Sequence, residues 1–210
     1  MPFCPPACSP ATTQRLSMDG VLPGVSNTKG RLLVATPILD DPNFARTVIY
    51  VVEHHDEGAL GLVLNRPSYE QLDEPLDRWV DVQSAPERVF SGGPVEPEAL
   101  IALARTKQPA PGGDDAYLAP LSATLASADL AADPALVAGD INGLRVFRGY
   151  AGWSPGQLEL EIESGSWVVV DSDLSDIFTD EPDDLWRVVL RRQSGRLGWL
   201  ADAPDDLSAN

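Results

Sequence analysis

The stretch EHHDEGALGLVLNRPS, Glu53 to Ser68, decides how this chain is read. It continues from TVIYVV, a β-branched and aromatic run within Phe44 to Glu53 that predicts a strand. Ala59 to Leu64 predicts a second strand, with Gly61 inside it marking either a bulge or a close backbone contact. Asp56-Glu57-Gly58 between them is turn chemistry, so the two strands pair antiparallel through a short loop. The stretch also holds His54 and His55, the 2 histidines of the chain. Adjacent residues of a strand point to opposite faces, so these two cannot ligate one ion. No H-E-x-x-H or comparable spacing supplies other ligands, and no metal site is expected.

Working outward, Arg31 to Thr36 is a short apolar strand stopped by Pro37, and Asp40-Asp41-Pro42-Asn43 is a turn. Residues 1–25 mix Pro, Ser, Thr and Gly without periodicity and read as a flexible leader; residues 26–210 read as one domain. On the other side, Val89-Phe90 runs into the tight turn Ser91-Gly92-Gly93-Pro94. Glu98 to Arg105 fits either helix or strand. Thr106 to Asp115 is a surface loop, Leu121 to Val137 contains helix interrupted around Pro134, and Leu144 to Tyr150 is a strand.

In WSPGQLELEIESG, Ser154 fits an N-cap, Pro155 the first helical position and Gln157 the third, which is a capping box. Trp153 and Leu158 fit a hydrophobic staple. Leu158 and Ile162 share one face while Glu159 and Glu163 face water, and Gly165 supplies the stop. Ser166 to Val170 predicts a buried strand and Ile177-Phe178 a turn. Pro182 to Gln193 predicts a second helix, acidic at its start and basic at its end as the macrodipole favours, and ended by Gly195. The polar tail APDDLSAN frays.

Composition narrows the function. Hydrophobic residues are 43% of 210, enough for a real core. The formal charge of −17 repels phosphate backbones and anionic lipid, which disfavours generic nucleic-acid and membrane binding. No apolar run approaches the ~20 residues that span a bilayer. MPFCPPACSP lacks the regions of a secretory signal, and the expected location is cytoplasmic. Cys4 and Cys8 form a single spaced pair, too few for a four-ligand structural zinc site, and read as surface thiols.

Nucleophilic catalysis lacks a marker, because no G-x-S-x-G elbow presents a serine. Ser91-Gly92-Gly93 with Arg66 can be read as an anion nest or as ordinary turn chemistry. Neither a P-loop nor a dinucleotide fingerprint is present, and no cofactor is called for. Tyr150, Trp153, Trp167 and Trp186 either line a groove or fill the core, as large aromatics mostly do.

Together GRLLVATPILDDPNFARTVIYVVEHHDEGALGLVLNRPS, SGGPV and GYAGWSPGQLELEIESGSW make a pattern that resembles the YqgE/AlgH family, bacterial proteins without an established biochemical activity. DDLWRVVL and the closing DDLSAN are similar to the family's end. The motifs stand in family order from about Lys29 to the C-terminus, and 96–148 departs most. The resemblance implies an α+β fold, a largely antiparallel, partly barrel-like sheet flanked by helices. It also tilts Ala99 to Ala104 toward strand. Some members carry the label of transcriptional regulator, but this chain has no helix-turn-helix pattern and no basic patch.

The first expectation is therefore a non-enzymatic binding module for an unknown protein or small molecule, with any regulatory effect indirect. Its candidate residues are Asp41, Phe44, Glu53, His54, Asn65, Arg66, Gly92, Gly93, Trp153 and Gln157. Whether Glu53, His54, Asn65 and Arg66 converge on one cleft decides how the hairpin is used. The second expectation is a hydrolase with His54 as general base beside Glu53 or Asp41. The third, direct DNA regulation, is disfavoured by the charge.

Overall fold

The computed structural model describes residues 27–113 and 116–203. The expected leader with Cys4 and Cys8, and the fraying tail from Pro204, lie outside the described residues.

Strands β1 (Arg31–Ala35), β2 (Val48–His55) and β3 (Gly58–Val63) form an antiparallel meander, as the β-branched runs predict. Then come β4 (Val89–Ser91), β5 (Val95–Thr106), β6 (Leu118–Pro120), β7 (Leu125–Ala128), β8 (Ile141–Trp153) and β9 (Trp167–Asp171). The order across the sheet is β6-β7-β5-β8-β3-β2-β1-β9, with β4 added parallel to β8. The sheet is mainly antiparallel and curls into a half-barrel with several helices, an α+β fold. Its long member is β8, whose N-terminal part pairs with β5 and whose C-terminal part pairs with β3.

Among the described residues four α-helices complete the fold: α1 (Gln157–Glu163), α2 (Leu174–Ile177), α3 (Leu185–Arg191) and α4 (Arg196–Leu200). Residues alternate between the faces of a strand, and the burial follows that period. Leu32, Val34, Val48, Tyr50, Leu62 and Leu64 meet α3 through Leu185, Trp186, Val189 and Leu190. Leu33, Ile49, Val51 and Val63 face the other way, onto Leu158 of α1 and the indoles of Trp153 and Trp167. A third cluster joins the outer side of β5 and β8 to Trp79, in a 3-10 turn over Asp77–Val82.

One irregularity sets the chemistry of the hairpin. The β2–β3 register shifts between Val51 and Glu53, so a bulge inserts one residue. Before it Val48, Tyr50 and Val52 look toward α3. After it the parity is reversed, because Glu53 pairs with Leu60 and His54 with Ala59. His54 thereby turns to the α1 side. Gly61, the glycine flagged by sequence, is a close contact beside this bulge: a Cβ there would sit 2.5 Å from Ile49 Cγ2.

Several expectations are corrected. Leu121 to Val137 holds β7 and a 3-10 turn over Pro134–Leu136 instead of an α-helix. Its small alanines fit the pleat, where Ala126 pairs with Ala104 and Ala128 with Ala102. Glu98 to Arg105, open between helix and strand from its residues, is strand inside β5, as the family resemblance implies. Helix α1 starts at Gln157, with Gly156 at its N-cap in the left-handed region (φ 75°). Only half of the expected box forms: Gln157 Oε1 accepts from the Ser154 N–H at 3.1 Å, while Ser154 and Pro155 belong to the preceding turn. The helix expected over Pro182 to Gln193 begins as a 3-10 turn, and Gly195 is followed by α4, which sequence reading missed.

Candidate functional site

The ten candidate residues divide between the two ends of the hairpin. In the antiparallel ladder His55 opposes Gly58 at the turn, whereas Ile49 opposes Val63 toward the open end. Glu53 and His54 lie near the turn; Asn65 and Arg66 follow β3 at the other end. The six steps from Val48, which Asn65 bonds, to His54 separate the groups by roughly 20 Å at strand rise. One cleft cannot hold all four.

At the turn end, His54 is buried beneath α1. The Thr28 backbone N–H donates to its Nδ1 at 3.0 Å, and a backbone N–H can only donate. Nδ1 therefore accepts, the proton sits on Nε2, and Nε2–H donates to Glu159 Oε1 at 2.9 Å. Thr28 Oγ1 also lies 2.8 Å from Nδ1. Both nitrogens are taken and Thr28 is itself buried, so His54 ties the entry of β1 to α1. Glu159, expected in water, is its partner. Glu53 pairs instead with Lys29 Nζ at 2.9 Å on the exposed side.

Trp153 and Gln157 meet at a residue that sequence reading missed. Glu161 Oε2 accepts from the indole N–H groups of Trp153 (2.9 Å) and Trp167 (2.8 Å), and its Oε1 from Gln157 Nε2 (2.9 Å). The two indoles stack edge to face, centroids 6.1 Å apart, and Phe44 meets Trp167 the same way at 5.8 Å. Phe44 and Trp153 thus serve packing, and Glu161 satisfies the donors that packing would bury. The available signal was Glu161 on the helix between two tryptophans, hidden by the abundance of carboxylates.

At the open end, three sequence-distant stretches converge. The Asp41 side chain accepts from the Asn43 N–H (2.8 Å), and its carbonyl accepts from the N–H groups of Phe44 and Ala45. The loop leaves with Arg46 at φ 56°. Asn65, buried, holds it there: Nδ2 donates to the Arg46 carbonyl and Oδ1 accepts from the Val48 N–H, each at 2.9 Å. Arg66 donates to the Ala45 carbonyl at 2.6 Å. Partial burial pushes its guanidinium below the ordinary value, and Asp183 acts in the opposite direction.

Gly92 and Gly93 bring the third stretch in. A Cβ on Gly92 would fall 2.2 Å from the Gly149 carbonyl oxygen, and one on Gly93 2.2 Å from the Tyr150 carbonyl carbon. These glycines allow close approach of backbone to backbone. The N–H groups of Ser91 and Gly92 are spent on the carbonyls of Arg66 and Arg148, so the full nest does not form. What remains is a pocket of about 210 Å³, lined by Pro42, Asn43, Arg66, Ser91, Gly93 and Pro94 with Val63.

A fully buried arginine was not foreseen. Arg145, on β8, donates to the carbonyls of Ile177 (3.0 Å), Thr179 (2.7 Å) and Ala85, and stacks on Phe90. Burial, with Arg105 nearby, lowers its pKa to about 10 against the pull of Asp180. It locks the loop after α2 onto the sheet. Among the described residues no group of three or more His, Cys, Asp or Glu could hold a metal ion. No helix among them is long and apolar enough to cross a membrane.

Comparison with known proteins places this geometry. Residues 32–198 match the family model DUF179, AlgH-like. A UPF0301 protein of Streptomyces coelicolor is 46% identical over 191 residues, covering 89% of this chain and 97% of that protein. One from Mycobacterium tuberculosis is 42% identical over 193 residues, covering 91% and 96%. Among solved structures, a crystal structure of a Corynebacterium diphtheriae protein superposes with a TM-score of 0.77 at 32% identity, over 82% of this chain and 90% of that one. The solution structure of the AlgH protein from Pseudomonas aeruginosa gives 0.60 at 30% identity, over 87% and 97%. The strands, the hairpin and the motif loops described above are thus those of a known lineage, and this chain belongs to the AlgH-like family of UPF0301 proteins.

Proposed function

We propose that this protein is a non-enzymatic cytoplasmic binding module whose pocket at the motif loops grips a small anionic group, a carboxylate or a phosphate. Any regulatory effect then passes through what is bound, not through DNA. The observation that supports this reading is convergence: the Asp41–Arg46 loop, Arg66 and Ser91–Pro94 meet around one pocket. Arg66 supplies the fixed charge. Its guanidinium has five N–H donors, one of which bonds Ala45, and the planar fork suits carboxylate and phosphate alike. A surface of charge −17 repels free anions, so only positioned donors in a pocket can hold one.

The hydrolase alternative is not favoured. Its base, His54, is buried with both nitrogens engaged, and Asp41 lies at the far end of the hairpin. Isotope-labelled protein titrated with inorganic phosphate, and separately with acetate, tests the proposal against a sodium chloride control. The expected result is saturable shifts of the Asn43, Arg66, Ser91 and Gly93 amide signals, lost in Arg66→Ala. Shifts no larger than those of the salt control, with both anions, would overturn it.

A further inference from the structure

The hairpin turn frames a second site. On β3, Leu60 and Leu62 share one face, which Leu64 continues just beyond the strand. Leu62 and Leu64 are covered by the α3 core, but Leu60 is only half-buried and opens outward. Beside it on β8 lie Gly152, paired with Leu60, and Tyr150, paired with Val95 of β5. The helices cover only part of this sheet face, and the uncovered remainder is a groove of about 560 Å³ with Leu60, Val95, Tyr150 and Pro155 among its apolar surfaces.

Its edges are acidic. The bulge in β2 turns Glu53 to the Leu60 side, and Glu57 stands at the turn. Next to the groove residue Val95, Glu96 adopts φ 45°, a backbone region costly for a non-glycine residue, and its Oε1 accepts from the hydroxyl of the groove residue Tyr150 at 3.2 Å. Among the described residues no Lys or Arg lines the groove, and Lys29 Nζ pairs with the Glu53 carboxylate at 2.9 Å. An apolar floor inside carboxylate edges, on a chain of charge −17, complements one kind of occupant.

We infer that this groove docks a short basic segment of a partner protein, with an aliphatic side chain on Leu60 and Tyr150 and Lys or Arg side chains toward Glu53, Glu57 and Glu96. The site is separate from the motif-loop pocket and does not depend on it. Gly152 gives a clean means of blocking it. A Cβ there meets nothing closer than 3.5 Å, at Tyr150 Cε2, and its φ lies outside the region reserved for glycine, so Gly152→Phe starts from an unstrained Cβ and sets its bulk beside the groove residues Tyr150 and Val95.

The test is selection of a random dodecapeptide display library on the full-length protein, followed by anisotropy titration of the enriched peptides. Enrichment of Lys/Arg-plus-aliphatic sequences is expected. Their affinity falls at least about tenfold in Gly152→Phe and severalfold in Glu57→Lys, weakens with salt, and is unchanged in Arg66→Ala. Failure to enrich, enrichment of acidic or uncharged peptides, or affinity unmoved by both groove variants would overturn the inference. Loss of binding only in Arg66→Ala would also overturn it, by assigning peptide capture to the motif loops. Failure of the anion titration, by contrast, leaves this outcome untouched.

Discussion

Replacing Asn65 by Ala separates a residue that builds the motif loop from one that contacts a ligand. Its amide bridges the Val48 N–H and the Arg46 carbonyl, at 2.9 Å each, from a position only 4% exposed. Asn65→Ala removes the side-chain hydrogen bond of each backbone group, at about 1–3 kcal/mol each when buried. Arg46 sits at φ 56°, so the loop that loses its clamp is also one with strain to release. Partial entry of water reduces the sum, and the expected loss is about 3 kcal/mol. Urea unfolding followed by circular dichroism measures it. With a slope of roughly 2–3 kcal/mol/M, the midpoint falls by about 1 M. Arg66→Ala, which removes a single bond at a half-exposed side chain, should cost about 1 kcal/mol. Asn65→Asp is a further check, since it keeps the acceptor for Val48 but sets an oxygen against the Arg46 carbonyl. A loss below about 0.5 kcal/mol for Asn65→Ala, within the range of ordinary surface changes, would refute the clamp.

Gly93→Ala forces a Cβ to within 2.2 Å of the Tyr150 carbonyl carbon at φ 152°, and thermal unfolding should show a severe loss or no folded protein. Glu161→Ala removes the shared acceptor of two indole N–H groups, and should cost about 2–3 kcal/mol in the same assay, with near-ultraviolet dichroism reporting the loosened Trp153–Trp167 pair. For Arg145 the folded pKa, about 10, lies below the ordinary arginine value, so the unfolded chain holds the proton more tightly. Between those values unfolding takes up a proton at this site. Its contribution to stability is thus present above the ordinary arginine value and lost as pH falls through about 10. Proton uptake on urea unfolding near pH 10 should be smaller in Arg145→Met than in the parent, and equal uptake would contradict the assignment.

Sequence legibility followed the range of the forces involved. Strands β1, β2, β3, β8 and β9 were readable because β-branched runs and turn dipeptides act over a few residues. The segment around Leu125 was misread because alanine's helix preference is weak, and pairing with β5 outweighed it. The start of α1 slipped because Gly156, at positive φ, carries the chain through one more turn before the helix begins. Helix α4 carries only five residues, too few for any periodic signal.

By itself the sequence determined the hairpin, the opposed directions of His54 and His55, and the family. Those follow from a two-residue period, from turn chemistry and from motifs in order. Only the tertiary structure decided what the hairpin is for. A one-residue bulge between Val51 and Glu53 sends His54 under α1 to Glu159 and leaves Glu53 at the groove, and no local pattern announces that change of parity. The grouping of Arg66 with Asn43 and Gly93 depends on contacts more than twenty residues apart, and the sharing of Glu161 by Trp153 and Trp167, though close in sequence, depends on how α1 packs against both indoles. Local pattern sets which residues are strand, and the packing of the half-barrel sets which side chains meet.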